Sequence, residues 1–176
     1  MALQPPTLLT KEHDVAGFDC GVVSMNDWLK RTALKWQAND GTRVTVLADE
    51  GGCVKAYYAL SMGQISRDAA PKPLARNNPD PLPVLVMGRL AVSRDMQGQS
   101  VAKGLLLDAF DKAFEISKTV GVTAFVVHAL NEEIAPFYAK FGFRPSPQTD
   151  EPLTLFKPMK DIAAEIEKAN AAVILP

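Results

Sequence analysis

The stretch Arg89-Leu90-Ala91-Val92-Ser93-Arg94-Asp95-Met96-Gln97-Gly98-Gln99-Ser100-Val101-Ala102-Lys103-Gly104-Leu105-Leu106 decides how this chain folds. An apolar, strand-like segment over residues 83–92 runs into a short polar loop, and the loop runs straight into a helical pattern. Residues 100–119 read as that helix, with Val101, Leu105, Ala109, Ala113 and Ile116 on one stripe and Gly121 ending it. Backbone N–H groups at a helix start have no intrahelical partner, so they suit a phosphate or diphosphate. The loop lacks the glycine-lysine-serine or glycine-lysine-threonine ending of a Walker loop, and the chain has no early glycine-x-glycine dinucleotide fingerprint. What remains is Gly98, the small residues Ser100 and Ala102, and Lys103-Gly104 as the helix opens. On its own the loop reads equally as an ordinary strand-to-helix turn.

Working outward, the chain of 176 residues is long enough for one domain with a real core. Its 47% hydrophobic and 22% charged content is ordinary for a globular protein. No apolar run approaches the roughly 20 residues a membrane span requires. The start, Met1-Ala2-Leu3-Gln4-Pro5-Pro6, has neither the charge nor the apolar stretch of a secretion signal, so a cytoplasmic protein with no membrane partner is expected. Cys20 and Cys53 stand in no metal-like spacing and read as reduced thiols, and no metal site is expected. A net charge of −1 does not advertise a nucleic-acid binder.

The remaining segments supply an alternating order. Ser24-Met25-Asn26-Asp27 has the serine-x-x-acid form of a helix start, and Met25, Trp28, Leu29, Thr32 and Trp36 follow at helical spacing to about Ala38. Residues 42–48 and 53–62 read as a hairpin around Glu50-Gly51-Gly52. Residues 64–82, with Pro71, Pro73, Pro79 and Pro81, read as a long loop, either functional or a surface excursion. Residues 83–92 are apolar on both faces and belong at the centre of a sheet. Residues 122–128 form a second buried strand, 131–141 a short helix ended by Gly142, 152–158 a last strand, and 160–172 a helix with Ile162, Ile166 and Ala169 on one side. This order indicates a mixed α/β sheet with two central strands each followed by a helix. Ligands of such sheets lie beyond the carboxyl ends of the central strands, where the loops after Val92 and after His128 both fall.

A second motif gives the loop its meaning. Asn131 stands where the strand ends, and Phe137-Tyr138 lies on the helix that follows. Tyr138 taken alone reads as a core tyrosine; beside a diphosphate loop it becomes a candidate proton donor. Gln97-Gly98-Gln99-Ser100-Val101-Ala102 resembles the Gln/Arg-x-x-Gly-x-Gly/Ala signature of the GNAT N-acetyltransferases. Asn131-Glu132-Glu133-Ile134-Ala135-Pro136-Phe137-Tyr138-Ala139-Lys140-Phe141-Gly142-Phe143 resembles that family's second cofactor-contacting motif. Phe18-Asp19-Cys20-Gly21, Asn26-Asp27-Trp28-Leu29-Lys30, Asn78-Pro79-Asp80-Pro81, Arg89-Leu90-Ala91-Val92 and Val127-His128-Ala129-Leu130 are similar to TacT- and AtaT-type toxins, the acetyltransferase halves of type II toxin–antitoxin pairs. One residue departs from the signature: its first glycine is Ser100 here, where a side chain crowds the diphosphate or its hydroxyl donates to it.

The resemblance implies an α+β GNAT fold over residues 1–158, with a mixed, mostly antiparallel sheet whose central strands splay at the acyl-CoA site, flanked by helices, and a C-terminal helical extension over 159–176. It implies acetyl-CoA held by Leu90, Ala91, Val92, Gln97, Gly98, Gln99, Ser100, Val101, Ala102, Lys103, Gly104, Asn131 and Phe137, with Tyr138 protonating the leaving thiolate. A strong general base is optional, because an α-amino group with a pKa near ~8 leaves a usable neutral fraction; His128 reads either as such a base or as a strand-end histidine satisfied in the core. The implied substrate is the free amino group of aminoacyl-tRNA, whose acetylation blocks translation. Lys30, Arg31, Lys35, Arg76 and Arg89 are the candidate tRNA contacts, with Arg43, Arg67 and Lys72 nearby in sequence. Residues 1–80 hold nine basic and nine acidic side chains, so any positive face is local. The implied partners are a ribbon-helix-helix antitoxin, operator DNA through that antitoxin, and a second copy in a homodimer. Two rival readings stand beside this one: a GNAT enzyme acting on a small amine or a protein N-terminus, and a catalytically impaired acyl-CoA-binding module.

Overall fold

A computed structural model describes residues 2–148 and 153–174. Seven strands hydrogen-bond in the order β1-β2-β3-β4-β5-β7-β6: β1 (Thr7–Leu8), β2 (Arg43–Ala48), β3 (Val54–Ile65), β4 (Leu82–Val92), β5 (Ala124–Ala129), β6 (Arg144–Pro145) and β7 (Leu153–Pro158). The pairs β1–β2, β2–β3, β5–β7 and β6–β7 are antiparallel. β4, the segment apolar on both faces, takes the central place that its composition demands. The helices are α1 (Val23–Arg31), α2 (Ala33–Ala38), α3 (Lys72–Ala75), α4 (Val101–Ser117), α5 (Ala135–Ala139) and α6 (Met159–Ile174). The result is the mixed, mostly antiparallel sheet flanked by helices that the sequence implies. β1 and β6, too short to show a period, are additions to it.

The chain divides into two compact units, Met1–Ser61 with Met87–Asp108, and Met62–Val86 with Ala109–Pro176. In the first, the hairpin pairs Val44 with Ala59 and Val46 with Tyr57, and these residues are buried with Leu9, Phe18, Met25, Trp28, Leu29, Ala33, Val54 and Ala91. The Asp49 carboxylate accepts from the amides of Gly51 and Cys53 and closes the hairpin turn. The helix expected from Ser24 to Ala38 is two helices, broken at Thr32. α1 starts one residue before Ser24, on Val22, with no side-chain cap. The polar work of that entry falls to Asp19 and Asn26: Asn26 Nδ2 donates to Asp19 Oδ1 at 2.8 Å, and Asn26 Oδ1 accepts from the Cys20 amide at 2.9 Å. The break lets Gln37 reach the core edge, where Nε2 donates to the Leu9 carbonyl and Oε1 accepts from the Val44 amide.

In the second unit, the expected loop over 64–82 is structured. It holds a 3-10 turn at Arg67–Ala69 and then α3, whose first turn accepts proline at Pro73. Ala70, Leu74 and Leu82 pack with Val84, Ala124, Val126 and Phe156. Asp80 accepts from the Arg67 amide, Asn78 Nδ2 donates to the Leu74 carbonyl, and the Arg67 guanidinium donates to the Asn78 carbonyl. The segment is therefore pinned by hydrogen bonds and by its buried Ala70, Leu74 and Leu82, while most of its other residues face solvent. α4 stops at Ser117, four residues before Gly121, because Ser117 Oγ and Thr119 Oγ1 bond back to the carbonyls of Phe114 and Ile116. Its buried set adds Leu106 and Phe110 to the expected stripe, while Val101 and Ile116 are half-buried. α6 buries Met159 and Ile162, leaves Ile166 half-buried and exposes Ala169. Pro152, the expected start of the last strand, and residues 175–176 of the extension lie outside the described residues. No helix among the described residues is long and apolar enough to cross a membrane.

Candidate active site

The candidate diphosphate loop is built by the first unit. β4 ends at Val92, and the next amides are at once tied down: Ser93 N–H donates to the Lys55 carbonyl at 2.8 Å and Arg94 N–H to the Asp19 carbonyl at 2.9 Å. Lys55 Nζ donates to Asp95 Oδ2 at 2.9 Å. The Ser93 hydroxyl, and after it Lys55, hold the Asp95 carboxyl below its usual range. Gln97 Nε2 donates to the carbonyls of Val92 (2.9 Å) and Cys20 (3.1 Å), and Gln99 Nε2 donates to the Asp95 carbonyl at 3.1 Å. Both glutamine side chains thus brace the loop from within, and what they leave for a ligand is backbone.

That backbone turns twice through the left-handed region, at Gly98 (φ 75°) and Ser100 (φ 62°). The first amide to bond back in α4 is that of Gly104, onto the Ser100 carbonyl at 3.0 Å. The amides of Val101, Ala102 and Lys103 precede it and have no helical acceptor. A side chain built on Gly98 or Gly104 would meet nothing within 4 Å, so the face over these amides is open. Lys103 is exposed there, and the positive end of the α4 dipole adds to the attraction for an anion. The residues fit a diphosphate: free amides, an open approach and a cation. Leu90 is half-buried, while Ala91 and Val92 are buried in the strand that leads in.

The second motif lies in the second unit. Asn131 opens the turn after β5, and its Oδ1 accepts from the Glu133 amide at 3.0 Å. α5 is shorter than expected because this local turn occupies 131–134 and Pro136 sits in the first helical turn. Gly142 ends the motif at φ 84°. Tyr138 is 7% exposed, with its ring edge-on to Phe137 (5.1 Å) and Phe143 (5.4 Å). Burial pushes its phenol up to about 12, so it is protonated at neutral pH. His128 faces Thr154 across the β5–β7 ladder and shares a 3.2 Å hydrogen bond with its hydroxyl. Burial lowers the imidazole pKa.

Of the basic residues, Lys30, Arg31 and Lys35 are exposed on α1 and α2, and Arg76 is exposed after α3. Arg43 is paired with Asp40 at 2.7 Å. Arg89 is half-buried, with its guanidinium 4.2 Å from the centre of the Trp28 ring. Trp28 in turn stacks on Tyr57 and meets Trp36 edge-on, and Trp36 is 48% exposed. This aromatic seat for Arg89 was not read from the sequence; its signal was the Trp28/Trp36 spacing, which places both rings on one helical face. Lys157, a lysine inside an apolar strand, was likewise passed over. Among the described residues no group of three or more His, Cys, Asp or Glu is placed to hold a metal.

Residues 40–145 match the model of the acetyltransferase (GNAT) domain. The chain is 37% identical over 161 residues, 92% of its length and 95% of the relative's, to the tRNA-acetylating toxin of Mycobacterium tuberculosis. The chain belongs to the GNAT acetyltransferases. Among solved structures, this acetyltransferase is similar to AtaT complexed with acetyl-methionyl-tRNAfMet, with a TM-score of 0.85 and 30% identity, covering 94% of this chain and 99% of that one. It is also similar to a tyrosine-to-phenylalanine variant of the AtaT toxin bound to the C-terminus of the antitoxin AtaR and acetyl-CoA (TM-score 0.79, 28% identity, covering 93% and 98%). The acetyltransferase uses acetyl-CoA, and the open loop at the start of α4 has the donors for its diphosphate.

Proposed function

We propose that this acetyltransferase acetylates the free amino group of aminoacyl-tRNA in the cytoplasm and so blocks translation, as the toxin of a type II pair neutralised by a ribbon-helix-helix antitoxin. The observation that carries this reading is the likeness, over nearly the whole chain, to a tRNA-acetylating toxin and to a toxin solved with an acetylated aminoacyl-tRNA. Ser100 supports a working loop over an impaired one, because it keeps the left-handed turn that the signature's glycine would make.

The free backbone amides at the start of α4, those of Val101, Ala102 and Lys103, would hold the diphosphate of acetyl-CoA, and the backbone of Leu90 to Val92 would lie along its pantetheine arm. Bound there, acetyl-CoA supplies an activated acetyl thioester. The acceptor amine attacks in its neutral form, Tyr138 Oη gives its proton to the departing thiolate as the carbon–sulfur bond breaks, and the proton shed by the amine nitrogen returns through solvent to the phenolate. No covalent enzyme intermediate is required. Lys30, Arg31, Lys35, Arg76 and Arg89 take tRNA phosphates, Arg89 from a fixed position on Trp28. Operator DNA is reached through the antitoxin, and the active toxin is a homodimer.

The test pairs the chain with its Tyr138→Phe variant. Labelled acetyl-CoA and total charged tRNA are incubated with each, and each is expressed in bacteria without an antitoxin. The wild type is expected to label tRNA and arrest growth. The variant is expected to bind acetyl-CoA normally, lose about a hundredfold or more in kcat, and permit growth. Soluble wild type that labels a small amine or a protein N-terminus but no tRNA would overturn the reading.

A further inference from the structure

β7 carries Lys157 on its buried side, within the apolar run Leu155-Phe156-Lys157-Pro158, and its side chain is only 2% exposed. A lysine is rarely buried so far unless it is paired and hydrogen-bonded. Here its ammonium group donates to the Phe141 carbonyl at 2.5 Å and to Glu165 Oε1 on α6 at 2.7 Å, and it lies 5.4 Å from the centre of the Phe110 ring.

Two of these partners, Phe141 and Phe110, lead to Tyr138. The Phe141 amide donates to the Tyr138 carbonyl at 2.9 Å, and the Phe143 amide reaches the same carbonyl at 3.3 Å. Phe110 stacks on Phe143, and Phe143 meets the Tyr138 ring edge-on. Gly142 lies between them at φ 84°, and a side chain there would come within 3.1 Å of the Lys157 ammonium. One cation thus grips the turn that closes the tyrosine motif through both its backbone and its rings. The charge partner belongs to the C-terminal helix, on a side chain that is 60% exposed.

We propose that Lys157 is a positioning residue for Tyr138 and that α6, through Glu165, holds it in place, so the C-terminal helix fixes the turn that presents the phenol. The proposal rests on the reading of Tyr138 as the proton donor. A cation buried against a main-chain carbonyl has a defined direction, and a misplacement of even ~1 Å at a reacting group costs up to about a hundredfold in rate.

A double-mutant cycle tests it, with acetyl-CoA and total charged tRNA as substrates. Lys157→Met keeps the length of the stem and removes the ammonium. It is expected to lower kcat about tenfold or more and to leave the KM for acetyl-CoA nearly unchanged. In the Tyr138→Phe background it should cause no further loss, because it acts only through the phenol. Glu165→Gln should move kcat in the same direction by less. In protein labelled with fluorotyrosine, the Tyr138 resonance should shift or broaden in Lys157→Met while those of Tyr57 and Tyr58 hold. Should Lys157→Met not fold, Glu165→Gln carries the same cycle. An equal loss of kcat in both backgrounds, an unchanged kcat, or an unmoved Tyr138 resonance overturns the proposal. If Tyr138→Phe keeps full activity, the donor reading is what has failed, and the fluorine spectrum alone then decides whether Lys157 fixes the turn.

Discussion

Ser100 holds a backbone conformation that costs an L-residue about 1 kcal/mol or more, at the position of the first glycine in the signature of its family. The loop keeps its shape because the turn is over-determined by the Gln97 and Gln99 side chains on one side and by the start of α4 on the other. Ser100→Gly removes the strain and frees the unfolded chain slightly, so the net gain expected is about 0.5–1 kcal/mol. It should appear as a higher melting temperature and a tighter acetyl-CoA Kd by calorimetry; a weaker Kd would mean that the hydroxyl is itself a phosphate ligand. Tyr138 makes a second prediction. Raising the pH removes the proton from the acceptor amine, so kcat rises up to about pH 8. The falling arm, ionisation of the phenol, is displaced toward about 12 by burial. A pH–rate profile should therefore rise and then stay flat past pH ~10, the ordinary tyrosine value.

At the scale of elements, the segment from Val92 to Val101 is a brace as much as a loop. Gln97 joins it to the end of β4 and to the approach to α1 with two hydrogen bonds. Each such bond contributes about 1 kcal/mol net. Gln97→Ala is expected to cost about 1–2 kcal/mol of stability and, by loosening the loop, to weaken acetyl-CoA binding; denaturant melts and calorimetry check both. The existence of this element was legible in the sequence, since an apolar run, a polar loop and a helical stripe are local patterns. The hold of Gln97 on the Cys20 carbonyl was not, because that acceptor is far away in sequence. The same holds for the helix break at Thr32. Periodicity ran through it unbroken, and the gain from seating Gln37 between Leu9 and Val44 outweighs the lost helical continuity. The proline-bearing segment over 64–82 hid its order for a related reason: Leu74 and Ala70 are too few to set a period, and burial against β5 and β7 residues is what orders them.

At the scale of the whole molecule, an overall charge of −1 means that the proposed tRNA contact rests on a local set of cations. Arg89 differs from Lys30, Arg31 and Lys35 in being fixed rather than solvated. The homodimer is tested by light scattering on the purified chain. A mass near twice 19.1 kDa is expected, and a mass equal to one chain at micromolar concentration would refute it.

The order of elements, the central place of β4, the loop between β4 and α4 and the turn ended by Gly142 could be read from residues alone. Each depends on a period or on a backbone conformation set within a few positions. Which polar side chains are spent inside the protein and which remain for a ligand was decided only in three dimensions. Gln97 is tied to the Cys20 carbonyl, Arg89 lies over Trp28, and Lys157 is buried beside Glu165, because in each case a partner is supplied by another element of the fold.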